Sequence, residues 1–276
     1  MPKIPKDILI LLPFLLLIIL ILALTNIIKI AKNSSTEPYF TPPKNTASPK
    51  LQKEPQVNPI IENSLSGLAG RYAVYVKDLK TQKTYQYKSN EIFGSASIYK
   101  LAVMYKAYDA IENNELSKEE AKEPLRLMIT ISDNDSAILL AERLTWQKID
   151  AFMESEGFID FNLVGENSPS VTAKTAGDLL ERIYSGKTVN PAASEEMKSL
   201  LFAQTVNDRI PKYLPTDIKV GHKTGELDTL RHDAGIVLGK KNHYIFVFLS
   251  DTKKPNDGTE TIAQLSKKIF DELENN

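Results

Sequence analysis

Phe93-Gly94-Ser95-Ala96-Ser97-Ile98-Tyr99-Lys100 runs directly into Leu101, Val103, Met104, Ala107, Tyr108 and Ile111, an apolar series at helical spacing. The pattern predicts a helix that opens at Ser97. Its start is buried, because Ala96, Ile98, Leu101 and Ala102 surround the one hydroxyl and the one amine. Three residues apart on a helix, Ser97 and Lys100 share a face. A serine hydroxyl is a poor nucleophile until a base removes its proton, and a lysine is a base only when neutral. Burial favours the neutral amine. Free N–H groups at a helix start also favour the negative charge that develops when an amide is attacked. A second Ser-x-x-Lys, Ser250-Asp251-Thr252-Lys253, follows a strand into a polar loop and opens no apolar helix.

Outward from this segment the elements sort by chain position. Tyr72 to Val76 and Lys83 to Tyr87 are β-rich runs around a polar turn and predict a hairpin. From Ser97 to about Thr205 the periodicity is helical, with Ile138, Leu139, Ala141 and Leu144 forming one stripe and further helices over Gly177 to Ile183 and Glu195 to Phe202. Strands return at Ile218 to Thr224, His232 to Leu238 and His243 to Leu249, and Thr261 to Leu273 closes the chain as an amphipathic helix. Strands at both ends with helices between imply an α/β fold. One antiparallel sheet is assembled from both chain ends and flanked by helices, with a helical lobe beside it.

Two further short motifs follow in order: Ser132-Asp133-Asn134, led in by Met128-Ile129-Thr130-Ile131, and Lys223-Thr224-Gly225, led in by Val220-Gly221-His222. Taken singly they are a helix cap and a turn as readily as a site. Together with Ser97 and Lys100 they supply a nucleophile, two amines, a second hydroxyl and an amide, a set suited to opening an amide through an acyl-serine. In type and order the three motifs resemble those of the class A β-lactamase-like branch of the penicillin-recognising serine enzymes. The resemblance runs from about Ser64 to the C-terminus and takes in Asp208-Arg209-Ile210-Pro211 and Leu214-Pro215.

The resemblance implies a β-lactamase/D,D-peptidase-like fold with its site in the cleft between sheet and lobe. It implies that Ser97 is acylated, that Lys100 is its base, and that Ser132 relays a proton toward the leaving nitrogen. Asn134 would bind the substrate's side-chain amide, and Asp133 would orient its loop. Lys223 and Thr224 would grip a substrate carboxylate, and Gly225 would admit the substrate close to the backbone. The N–H groups of Ser97 and Glu226 would form the oxyanion hole. Arg231 and His232 either tune carboxylate binding or serve the strand surface. For the glutamate that directs water onto the acyl-enzyme, the candidate is Glu166, in Leu163-Val164-Gly165-Glu166-Asn167-Ser168-Pro169-Ser170. Ser170 stands where the family has asparagine, and the helix near Thr175 follows too soon for the full loop. The implied substrates are a β-lactam or a peptidoglycan stem peptide. Hydrolysis of β-lactams leads, with D-alanyl-D-alanine carboxypeptidase or transpeptidase activity, or a non-turnover penicillin-binding sensor, as alternatives.

Composition bounds the rest. Thirty-four Lys and Arg against 35 Asp and Glu leave a net charge of −1, which gives no electrostatic case for nucleic acid. Cysteine is absent, so disulfides and thiolate metal sites are excluded. His222, His232 and His243 have no metal-ligand spacing, and neither metal nor cofactor is expected. Ile8 to Ile28 is almost unbroken Ile and Leu, long enough to cross a bilayer and without a polar face, so residues 1–32 read as an uncleaved signal-anchor. Prolines at 38, 42, 43, 49, 55 and 59 among polar residues make 33–62 an extracytoplasmic spacer. That leaves 63–276 as the catalytic domain, expected to be monomeric.

Overall fold

A computed structural model describes residues 54–275. The expected membrane anchor at 1–32 and most of the spacer lie outside the described residues. Among those described, no helix is long and apolar enough to cross a membrane.

Five strands form one antiparallel sheet: β1 (Arg71–Asp78) and β2 (Thr84–Tyr87) from the N-terminal side, and, after the short strands β3 (Ile92–Gly94) and β4 (Ser170–Thr172), β5 (Lys219–Leu227), β6 (Leu230–Leu238) and β7 (His243–Asp251) from the C-terminal side. Their order is β2-β1-β7-β6-β5, so the chain ends meet where β1 pairs with β7, Val74 opposite Phe248. The central strands are buried on both faces, which explains their near-continuous apolar runs. Ala73 and Tyr75 face one way and Val74 and Val76 the other, into two separate cores.

On the first face lies the helical lobe: α2 (Lys100–Glu112), α3 (Lys118–Thr130), α4 (Asn134–Leu144), α5 (Trp146–Ser155), α6 (Ala173–Tyr184) and α7 (Pro191–Phe202). Helix α6 packs directly on the sheet. A Cβ at Gly177 would stand 2.4 Å from the Tyr75 ring, so glycine in mid-helix, ordinarily about 1 kcal/mol worse than alanine, is what lets α6 close on β1. The sequence reading missed a two-stranded sheet of β3 (Ile92–Gly94) and β4 (Ser170–Thr172), in which Phe93 pairs with Val171. Three-residue strands are too short to show a period.

The opposite face is covered by α8 (Pro255–Asn275) and by α1 (Val57–Leu65). The first of these extends the expected C-terminal helix. The second corrects the expected boundary at residue 63. Val57 and Ile61 are fully buried in the outer core with Leu65, and Lys268 donates to the Ser64 hydroxyl at 3.1 Å. The folded unit therefore starts before Val57, because prolines 55 and 59 flank and open a helix rather than extend a spacer. Removing this helix strips three apolar side chains from the core, each worth about 1.5–3 kcal/mol when fully buried. A chain starting at Ser66 should lose roughly 4 kcal/mol or more against one starting at Glu54. Urea unfolding of the two measures it, and coincident midpoints would restore the later boundary.

Candidate active site

Three elements converge at the edge of the sheet: the 3-10 turn Ala96–Tyr99 that leads into α2, the loop between α3 and α4, and edge strand β5. Gly225 sets the spacing of the first and third. A Cβ there would lie 3.1 Å from Ile98 Cγ1 and 3.1 Å from His232 Cβ. The sequence reading assigned this glycine to substrate approach; on the face where a side chain would stand, the neighbour is the serine-bearing turn itself. This packing brings the strand that carries Glu226 against the turn that carries Ser97.

Ser97 is half-buried at the first turn of the helical segment and lines a cavity of about 790 Å³ with Tyr99, Asn134, Ser168 and Glu226. The preceding Ala96 has φ +44°, and Ser132 across the cleft has φ +61°. Non-glycine residues in this region carry strain of order 1–3 kcal/mol each and persist only where their surroundings hold them. Here the hold is specific. The Ser95 N–H donates to the Pro169 carbonyl at 2.8 Å, tying the turn to the loop after α5. Asp133 caps α4 by accepting from the Ser136 N–H at 2.7 Å, fixing the loop that presents Ser132 and Asn134. The Ser136 side chain first, and its N–H second, hold the Asp133 carboxyl below the usual aspartate range.

Ser132 joins the two lysines. Lys223 Nζ donates to its hydroxyl at 2.7 Å and to the Thr224 carbonyl at 2.6 Å. Lys100 Nζ donates to the Ser132 carbonyl at 2.6 Å, to Asn134 Oδ1 at 2.7 Å and, at 3.4 Å, to the same Ser132 hydroxyl. Both amines are fully buried. Burial draws the Lys100 pKa down to about 8, with the Asp133 carboxylate pulling the other way. Burial, followed by repulsion from Lys100, holds Lys223 well below the ordinary lysine value. Two amines too close to remain comfortably charged, with a hydroxyl between them, make an arrangement chemically able to relay a proton.

Glu166 is not brought to this relay. It is exposed on a turn, and Asn167, Ser168, Pro169 and Ser170 line the cavity in its place. His232 is fully buried, with Nε2 2.8 Å from the Gly94 carbonyl and Nδ1 accepting from the Ser250 N–H. Those partners fix the neutral tautomer protonated at Nε2, and burial draws its pKa down to about 4. Its ring thus joins β6 to β3 and β7 and offers no charge to a carboxylate. Ser250 of the second Ser-x-x-Lys is also fully buried, its hydroxyl committed to the Arg231 carbonyl at 2.6 Å.

Sequence reasoning assigned no role to Arg209, whose guanidinium is 1% exposed and donates to the Glu226 carboxylate. An arginine in a polar, proline-flanked loop carries no sequence signal of burial. His222 sits behind Lys223 on β5 with Nδ1 2.8 Å from Asp233, both fully buried. Among the described residues, no three His, Asp or Glu side chains are grouped to hold a metal ion.

Comparison with known proteins bears on the family and the fold. The pattern of the Beta-lactamase enzyme family matches residues 55–124 and 120–273. Beta-lactamase BRO-1 of Moraxella catarrhalis is 22% identical, the match covering 89% of this chain and 93% of that protein. In fold the chain is similar to PBP-A, seen as a mutant in an acyl-enzyme complex with penicillin G (TM-score 0.75, 18% identity, 80% of this chain and 97% of that one). It is likewise similar to a class A β-lactamase from Bacteroides cellulosilyticus (TM-score 0.72, 19% identity, 80% and 98%).

Proposed function

The chain belongs to the beta-lactamase enzyme family as a serine hydrolase of the class A kind, and from that premise we propose that it opens β-lactam amides through an acyl-enzyme at Ser97. The observation that carries the reading is the Ser132 hydroxyl held between two buried, pKa-depressed amines, on the loop whose Asn134 lines the same cavity as Ser97. In this mechanism neutral Lys100 accepts the Ser97 proton as the hydroxyl attacks the amide carbon. The N–H groups of Ser97 and Glu226 hold the oxyanion. Ser132, its oxygen bonded by Lys223, passes its own proton to the leaving nitrogen and is reprotonated from the lysines. Lys223 and Thr224 draw in the substrate's carboxylate, and Asn134 meets the acyl side chain amide. The relatives support the substrate class: one is named a β-lactamase, and another forms an acyl-enzyme with penicillin G.

A second reading is favoured by the position of Glu166. With Glu166 outside the cavity that Ser97 lines, the acyl-enzyme lacks the glutamate by which class A enzymes direct water, and a long-lived adduct follows. D,D-peptidase or sensor activity on stem-peptide-like ligands then fits better than rapid antibiotic turnover. A fluorescent penicillin label, followed over time, separates the two. Glu166→Ala is expected to change its decay by less than about threefold, against the hundredfold or more typical of losing a general base. Fast decay that collapses in the variant would return Glu166 to the mechanism. Either substrate is met outside the cytoplasm, which is the ground for proposing that Ile8 to Ile28 anchors the chain with its catalytic domain extracytoplasmic.

A further inference from the structure

We infer that the side chain of Glu226 is a built-in competitor for the substrate's carboxylate, and so sets how strongly the site takes anionic ligands. The inference rests on the reading that Lys223 and Thr224 receive that carboxylate. Side chains alternate along a strand, so Thr224 and Glu226 project on the same face of β5, about 7 Å apart. Opposite Glu226 on β6 stands Arg231, and its Nε lies 3.9 Å from the Glu226 carboxylate. The stronger cation is Arg209. It is 1% exposed, it donates through Nη2 to Glu226 Oε2, and its Nε is buried without a hydrogen-bond partner. The other nearby carboxylate, Asp208, lies 3.7 Å away. Arg209 also lies near enough to Lys223 for its charge to help depress that amine.

The pair is lopsided. A buried guanidinium cannot be left unpaired without a large penalty. The Glu226 side chain is 60% exposed and can swing into solvent at little loss. Glu226 lines both the cavity that contains Ser97 and a smaller one of about 350 Å³ beside Arg231, so it stands at the lip of the cleft. In the free protein it satisfies Arg209. A ligand carboxylate arriving at Thr224 meets that negative charge first, and reaches Arg209 only by displacing it. A ligand with no charge at this position leaves the pair undisturbed. Glu226 therefore discriminates against anions at the place where the scaffold otherwise offers cations to receive them.

Equilibrium binding of benzylpenicillin and of its methyl ester to Ser97→Ala and to Ser97→Ala/Glu226→Gln tests this without needing acylation. Glutamine keeps the shape and an acceptor for Arg209 but removes the charge. Affinity for the acid, relative to the ester, should rise about tenfold in the double variant, the scale of one charge-assisted hydrogen bond regained. An unchanged or reduced acid-to-ester ratio overturns the proposal and leaves Glu226 a structural partner of Arg209. Absence of measurable acid binding to both proteins overturns it as well. Covalent labelling of the Ser97-bearing proteins is scored separately. A rise in affinity without any adduct would sink the acyl-enzyme reading and leave the role of Glu226 standing.

Discussion

Ser97→Ala should erase the covalent adduct that intact-mass analysis detects after exposure to a β-lactam, with acylation falling by about a millionfold, the scale of removing a serine nucleophile. The substitution removes one oxygen from a half-buried position and leaves the turn's main-chain bonds in place, so the protein should unfold at an unchanged denaturant midpoint. The competing serines make the test sharp. Ser250, which precedes a lysine at the same spacing, is buried and bonded to the Arg231 carbonyl. Ser132 accepts a hydrogen bond from Lys223 but is carried on the loop before α4, not at the helix start that lines the cavity. Peptide mapping of the wild-type adduct should place it within the segment containing Ser97. A full-strength adduct on the alanine variant would overturn the assignment.

What the sequence disclosed follows from the range of each interaction. Periodicity is local, so the hairpin at β1 and β2, the helical middle and the three C-terminal strands were legible, and assembling the sheet from both ends needed only their order. The spacing of Ser97 and Lys100 was legible for the same reason. Val57 and Ile61 were not, because prolines 55 and 59 and the surrounding polar residues look like linker. Only the presence of α8 against them reveals an apolar face. Strands β3 and β4 escaped because three residues show no period. Arg209 escaped because burial of a charge depends on what folds over it. Glu166 is the opposite case: a glutamate of suitable type in roughly the right segment that stands exposed on its turn and does not line the cavity. Motif order picked out residues that the fold brings together, and long-range packing decided which other side chains joined them.

Lys100→Arg should reduce acylation by roughly a hundredfold to ten-thousandfold, the range of general-base catalysis, although it keeps the positive charge that a merely electrostatic role would need. The buried amine titrates near 8, so an appreciable fraction is neutral at neutral pH, whereas a guanidinium does not deprotonate. The pH dependence carries the same sign. Because burial lowers the Lys100 pKa, the free base is present above about 8 and is lost as pH falls through that value, so wild-type acylation should decline on the acid side with a midpoint near it. Lys223, also depressed by burial and by Lys100, titrates with its neighbour, so the profile belongs to the pair and should be read as an apparent value. Rates of acylation by benzylpenicillin, measured from pH 5 to pH 10 on both proteins, decide the matter. The arginine variant should show a low, flat profile. If it acylates at near-normal rate, or if the wild-type rate rises as pH falls below 8, Lys100 is not the base, and the proton from Ser97 must leave by way of Ser132 and Lys223 instead.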